Sequence, residues 1–219
     1  MKRRSALKTL AAFAAAHGMG FWQAAQAAGM LLPPPGIYRL RGDVRLNDKP
    51  ARQGMLVGPG DTVTTGPDGE AIYIIGKDVY LQRDRSVVSI TGDAIKSGLR
   101  IVTGKLLSVF GKGTKQIRVP TATIGIRGTA CYIEAAEERV YFCLCYGTVD
   151  IVAAHDQAQT ATLTTRYHDS PFNLSARGTF LQPAPVINHT DAELILLESL
   201  VGRVPPFKET IGPYSTGRY

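Results

Sequence analysis

The 219-residue sequence contains no G-x-S-x-G, no P-loop, no H-E-x-x-H and no dinucleotide-binding fingerprint. The common hydrolase, nucleotide and zinc-protease chemistries therefore have no local signature here, and the chain reads as non-catalytic. It also lacks an apolar run long enough to span a membrane, which takes about 20 residues. The best candidate, Leu10 to Gly20, is short and alanine-rich. No acidic residue occurs before Asp43, and only three cysteines are present. Charged residues make up 20% and hydrophobic residues 44%, which excludes a wholly disordered chain and a multi-span membrane protein. The 23 glycines and 13 prolines suit a turn-rich all-β chain better than a helical bundle.

The N-terminus is organised as an export signal. Lys2, Arg3, Arg4 and Lys8 carry four positive charges, a short apolar run follows, and Ala25-Gln26-Ala27 offers a small-x-small cleavage site. This order predicts a secretory signal peptide over residues 1–27. Arg3-Arg4-x-x-Leu7-Lys8 resembles a twin-arginine (Tat) signal, in which Arg3 and Arg4 are the recognised pair; Lys2 and Ala6 depart from that pattern, and Sec export is the other route. The expectation is a bacterial, periplasmic protein with no stable membrane span after cleavage. Without residues 1–27 the chain holds 21 basic and 18 acidic residues, so the net charge falls from +7 to +3. No Lys/Arg run longer than two survives, which argues against a nucleic-acid partner.

Residues 28–36 read as part of an extended leader reaching to 41. From Ile37 to Ala154, short apolar runs alternate with turn signals such as Gly58-Pro59-Gly60-Asp61, Gly66-Pro67-Asp68-Gly69 and Gly111-Lys112-Gly113. Strands of four to six residues with this punctuation predict an all-β sandwich, barrel or solenoid. Val140 to Cys145 is the most strongly β-prone run. Residues 155–219 form a C-terminal extension, irregular over Tyr167 to Pro185. Thr190-Asp191-Ala192-Glu193 is a capping box that opens a helix over 191–201. Leu194, Leu197, Leu200 and Val201 share one face of it, Gly202 is the C-cap and Pro205-Pro206 stops it.

Three stretches carry a resemblance. Gly42-Asp43-Val44 with Gly58 to Gly66 and Asp68-Gly69-Glu70-Ala71, then Val119 to Thr129 (V-P-T-A-T-I-G-I-R-G-T), then Gly147-x-Val149 resemble, in order, the motifs of a FecR-like domain. The likeness covers about residues 42–152, within a β domain bounded at 42–154. It implies a periplasmic all-β domain, a short β-solenoid or roll, with a β-sandwich as the alternative. In regulators of iron transport such a domain follows a cytoplasmic anti-sigma segment and a membrane helix, and relays a signal from an outer-membrane receptor. Here a cleavable signal stands in place of both. What carries over is a binding, scaffold or signalling module of the cell envelope with an envelope protein as partner. Within the motif, Gly125 and Gly128 are expected at tight turns, Arg127 bonded to loop carbonyls or an acid, and Thr129 in a structural role.

The cysteines are an addition to that family plan. Cys131, Cys143 and Cys145 fall in one predicted hairpin, and Cys143 and Cys145, two apart on a strand, point to the same face. A turn centred near Glu137 sets Cys131 opposite Cys143 on that face; a turn half a residue later sets it opposite Leu144, facing away. Three uses are open. One is a Cys131–Cys143 or Cys131–Cys145 disulfide with one thiol left over. Another is a metal or cluster site (Zn²⁺, Cu⁺ or an iron–sulfur centre) with His168 or His189 as a further ligand. The third is inert buried thiols. His155 is the remaining histidine after the signal. Cys143 beside His168 as a nucleophile would instead make a thiol-dependent redox protein or enzyme of the envelope.

Overall fold

In the computed structural model, residues 32–92, 97–168 and 171–207 are described; the signal segment with Arg3 and Arg4 lies outside them. The strands are β1 (Gly36–Arg41), β2 (Val44–Leu46), β3 (Lys49–Pro50), β4 (Thr62–Thr65), β5 (Glu70–Ile75), β6 (Asp78–Gln82), β7 (Ser86–Gly92), β8 (Ser97–Val109), β9 (Thr114–Val119), β10 (Ala122–Arg127), β11 (Ala130–Ala135), β12 (Arg139–Ala153), β13 (Thr160–Thr165), β14 (Pro171–Ser175) and β15 (Leu181–Pro183), followed by the helix α1 (Asp191–Ser199). The all-β class expected from the sequence is the class observed.

The strands form two sheets. Sheet I runs β1-β5-β6-β8-β11-β12-β14-β15, every pairing antiparallel. Sheet II runs β3-β2-β4-β7-β8-β9-β10-β12-β13, antiparallel except for Ser97–Arg100 alongside Lys115–Arg118. Two long strands belong to both. β8 leaves sheet II after Thr103 and β12 leaves sheet I after Tyr146, and a glycine stands at each crossing. Gly104 has φ +94°, and a Cβ there would meet Ser86 Cα at 2.4 Å; Gly147 has φ +100°, and a Cβ would meet Thr129 Cγ2 at 2.5 Å. Both the left-handed backbone and the close approach require glycine, so these residues let the sheets roll around one core.

That core draws on both sheets. Leu106, Cys131, Ile133 and Phe142 of sheet I share one buried cluster with Val63, Ile101, Ile117 and Ile124 of sheet II. A second, smaller cluster lies on the outer face of sheet I. Ile72, Leu81, Leu107, Tyr132, Cys143 and Cys145 pack there with Leu194, Leu197 and Leu200 of α1. Sheet I is thus covered on both faces, which is why β11 and β12 read as near-continuous apolar runs.

α1 begins as the sequence requires. The Thr190 side chain accepts from the Glu193 N–H, and Glu193 reaches back to the Thr190 N–H at 2.9 Å. The helix has 9 residues and ends on Leu200, with Gly202 left-handed at φ +69° just beyond. Isolated helices below about 12 residues are marginal in water, so α1 depends on docking. Burying Leu194, Leu197 and the C-cap Leu200 contributes about 1.5–3 kcal/mol each.

Three boundaries differ from the sequence reading. The helix expected over 191–201 with Gly202 as C-cap ends at Ser199 with Leu200 as the cap. The leader assigned to 28–41 is sheet from Gly36 onward, because Ile37 is buried opposite Tyr73. The extension supplies β13, and its stretch read as irregular, Tyr167 to Pro185, supplies β14 and β15. Prolines hid the last two: Pro171 is the first residue of β14 and Pro183 the last of β15, positions where a missing N–H costs no ladder bond.

Candidate metal centre

The β11–β12 hairpin sets the site. Ala135 pairs with Val140 and Cys131 with Leu144, the later of the two registers. Cys131 therefore faces the inter-sheet core beside Ile133 and Phe142, while Cys143 and Cys145 face outward under the helix layer. The expected membership of Cys131 in a metal site is corrected by this register: on a pleated strand one half-residue shift of the turn moves a side chain to the opposite face. The three thiols are free and buried, so neither Cys131 disulfide forms.

The expected histidines do converge. His168 follows β13, its N–H donating to the Cys145 carbonyl at 3.0 Å. Its φ of +42° is unusual for a side-chain-bearing residue, a cost of about 1 kcal/mol or more that the surrounding contacts must offset. His189 directly precedes the helix N-cap, after Asn188 at φ +54°. Among the described residues, Cys143, Cys145, His168 and His189 form a buried group whose ligand atoms all lie within 4.8 Å of one another. His155 is not among them; its ring lies 6.2 Å from that of Phe180.

Two of the donor spacings match those of one four-coordinate ion. A tetrahedral zinc with ordinary bond lengths has edges of about 3.8 Å between two sulfurs, 3.6 Å between sulfur and nitrogen, and 3.3 Å between two nitrogens. Cys143 Sγ lies 3.7 Å from His168 Nδ1, and His168 Nδ1 lies 3.1 Å from His189 Nε2. A two-iron cluster would need its donors divided between two irons and spread further apart.

The remote ring nitrogens are also committed. His168 Nε2–H donates to Asp191 Oδ1 at 3.2 Å, and His189 Nδ1–H donates to the Ile187 carbonyl at 2.7 Å, tautomers that the two acceptors dictate. The inward nitrogens, His168 Nδ1 and His189 Nε2, face each other beside Cys143 Sγ, an arrangement that a metal ion or a shared proton would join. Outer contacts fix the rings further. Tyr132 stacks on His189 at 4.8 Å between centroids, and the Tyr167 hydroxyl donates to Asp191 Oδ2 at 2.7 Å. Asp191 was not singled out from the sequence, although the capping box places it at the first position of the helix, two residues after His189.

Electrostatics separate the thiols. The Cys145 thiol hydrogen-bonds Cys143 and, with the two imidazoles, holds it down to about 3 against the effect of burial. Burial pushes Cys145 well above its ordinary value. Burial alone would lower His168, but the Cys143 sulfur and the Asp191 carboxylate raise it. Cys131 is pushed far up by burial and then by Cys143. The set therefore offers one thiolate, a second thiol it can polarise, and two oriented imidazoles, which are the donors a borderline-soft metal takes.

The family-motif residues lie elsewhere. Arg127 donates to Asp150 at 2.6 Å across β10 and β12, the acid partner expected. Gly128 occupies the turn between β10 and β11 at φ +65°. Gly125 is in mid-strand rather than at a turn, where a Cβ would find only ordinary contact with the Asp150 carbonyl at 3.6 Å. Thr129 is buried, and its methyl group lies against Gly147. A surface groove of ≈ 640 Å³ is lined by Arg100, Arg118, Pro120 and Glu137 among others, and includes no residue of the centre.

No family model matches the chain, and no curated protein does. Two solved structures, at 1.65 and 2.50 Å resolution, of a protein described as a "putative anti-sigma factor" from Parabacteroides distasonis ATCC 8503 are similar to it, each with a TM-score of 0.48 and 8% identity. Each likeness covers 56% of this chain and 58% of that one, so it spans little more than half of that protein's length.

Proposed function

We propose that this protein is a non-catalytic, FecR-like binding or signalling module of the bacterial envelope that holds one zinc ion through Cys143, Cys145, His168 and His189. The observation that carries the metal is the pair of spacings, 3.7 and 3.1 Å, between inward donors whose imidazoles are each anchored from behind. Four protein ligands close a tetrahedral ion, and all four are buried, as in a site that shapes a fold rather than one that keeps a position open for substrate. Zinc is preferred over Cu⁺ because two imidazoles accompany the two thiolates. The FecR-like part rests on the three ordered sequence motifs, and the envelope location on the signal-like residues 1–27 with Arg3 and Arg4. An envelope protein is the proposed partner.

Native mass spectrometry with elemental analysis of the full-length gene product, recovered from fractionated bacteria, tests this reading. The expected result is one zinc per chain, loss of a segment near 27 residues, and recovery in the periplasmic fraction. Fewer than about one zinc per ten chains after zinc supplementation would falsify the metal assignment. A thiol-redox reading has one observation in its favour, the depressed Cys143 beside His168 at 3.7 Å. Reductase activity abolished by Cys143→Ser in a chain that binds no zinc would establish it instead.

A further inference from the structure

The ligands of the centre come from two separable parts of the fold. Cys143 and Cys145 lie on β12; Cys143 is held by β11 on one side and β14 on the other. His189 stands just before the N-cap of α1, and Asp191, the first residue of α1, holds His168 from behind. Building on the metal-binding reading above, we infer that the ion is a latch: metal occupancy holds the N-terminal end of α1 against sheet I, and metal loss releases it and uncovers the apolar outer face of the sheet.

The local energetics favour this. α1 has 9 residues and cannot persist undocked. With the ion present, His189 before Thr190 would be tied to β12 through the metal, and Asp191 after it through its hydrogen bond to the ligand His168. Without it, His168 Nδ1, His189 Nε2 and Cys143 Sγ remain together in a buried site with no ion joining them. With no ion to fix them, either ring can turn only by giving up its bond to Asp191 or to the Ile187 carbonyl, contacts that help to position the helix start. Besides the Tyr132 and Tyr167 contacts and the Ile187 N–H bond to the Tyr141 hydroxyl, two ion or amide pairs at this end are partly exposed: Arg83 with Glu193 at 2.6 Å, and Asn188 donating to Glu134 at 2.7 Å. Partly exposed pairs of this kind hold weakly.

The far end of the helix is anchored independently. Buried Glu198 bonds Tyr146 and takes Arg203 Nε at 2.5 Å, and Arg203 also donates to the Lys77 carbonyl at 2.6 Å. Release therefore starts at residues 187–194 and pivots near Glu198. What it uncovers is the cluster around Ile72, Val79, Leu81, Leu107 and Tyr132.

Hydrogen exchange on the full-length, zinc-loaded chain, before and after chelation, tests the latch. The expected result is exchange at least about tenfold faster across 187–196, a smaller change across 198–203, and none across the core strands at 117–126. Unchanged exchange at 187–196 after proven zinc loss overturns the inference. Should the stripped chain unfold throughout, the reciprocal measurement decides, because helix docking and zinc binding must change each other by the same factor. Leu194→Ser loosens the helix without touching a ligand, so zinc affinity, measured by competition with a chromophoric chelator, is expected to fall about tenfold or more. An affinity within about twofold of the parent overturns the latch. A chain that binds no zinc overturns both the latch and the reading beneath it.

Discussion

Cys131 and Cys143 occupy neighbouring strands of one hairpin, yet they meet different chemistry. Cys131 points between the sheets, where Ile133, Phe142 and Leu144 surround it; burial keeps its thiol neutral and it packs as a small apolar residue. Cys143 points the other way, toward Cys145, His168 and His189, and its thiol is held down to about 3. Both are fully buried. The contrast shows that depth does not determine what a cysteine does. The face of the strand determines it, by selecting whether the neighbours are hydrocarbon or further donors.

The comparison can be broken at either end. Cys143→Ser carries the largest expected effect: zinc content falls from one per chain to near zero, and chelator no longer shifts the thermal midpoint, as elemental analysis and melting with and without chelator would show. Retention of full zinc would mean that the outer face is not a metal site. Next comes the inner face. Phe142→Ala is expected to cost about 3–5 kcal/mol in denaturant unfolding while the folded chain keeps its zinc. Cys131→Ser should cost about 1–3 kcal/mol, because an unpaired hydroxyl is placed in an apolar core, again with zinc content unchanged. Loss of zinc in that variant would return Cys131 to the ligand set. Smallest is Arg127→Ala, which removes an ion pair whose partners are 67% and 39% exposed. It is expected to change stability by no more than about 1 kcal/mol. A larger loss would give the motif arginine a role that its surface pairing with Asp150 does not provide.

Much of the molecule was legible from residue types alone. Turn residues and β-branched runs marked most strands, and Thr190 with Glu193 marked the start of the helix, because these signals act within a few residues. The signals that failed were those whose meaning depends on distant partners. Pro171 and Pro183 read as breakers until β14 is seen to begin and β15 to end on them. Thr160–Thr165 offers little apolar signal for a strand that pairs along β12. Asp191 looked like an ordinary acidic residue in a first helical turn, and only its 3.2 Å contact with His168 gives it a second role.

The sequence by itself determined that the chain is all-β with one capped helix, and that Cys143 and Cys145 share a face. Periodicity and local hydrogen bonding suffice for both. It left Cys131 undecided between two faces, because half a residue in the position of a turn inverts every side chain beyond it. It named His168 and His189 as candidate ligands but gave no geometry that joins them to the thiols. Those decisions belong to the tertiary structure, where the 135–140 turn sets the register, Gly147 redirects β12, and the docking of α1 brings His189 and Asp191 to a strand more than forty residues earlier in the chain.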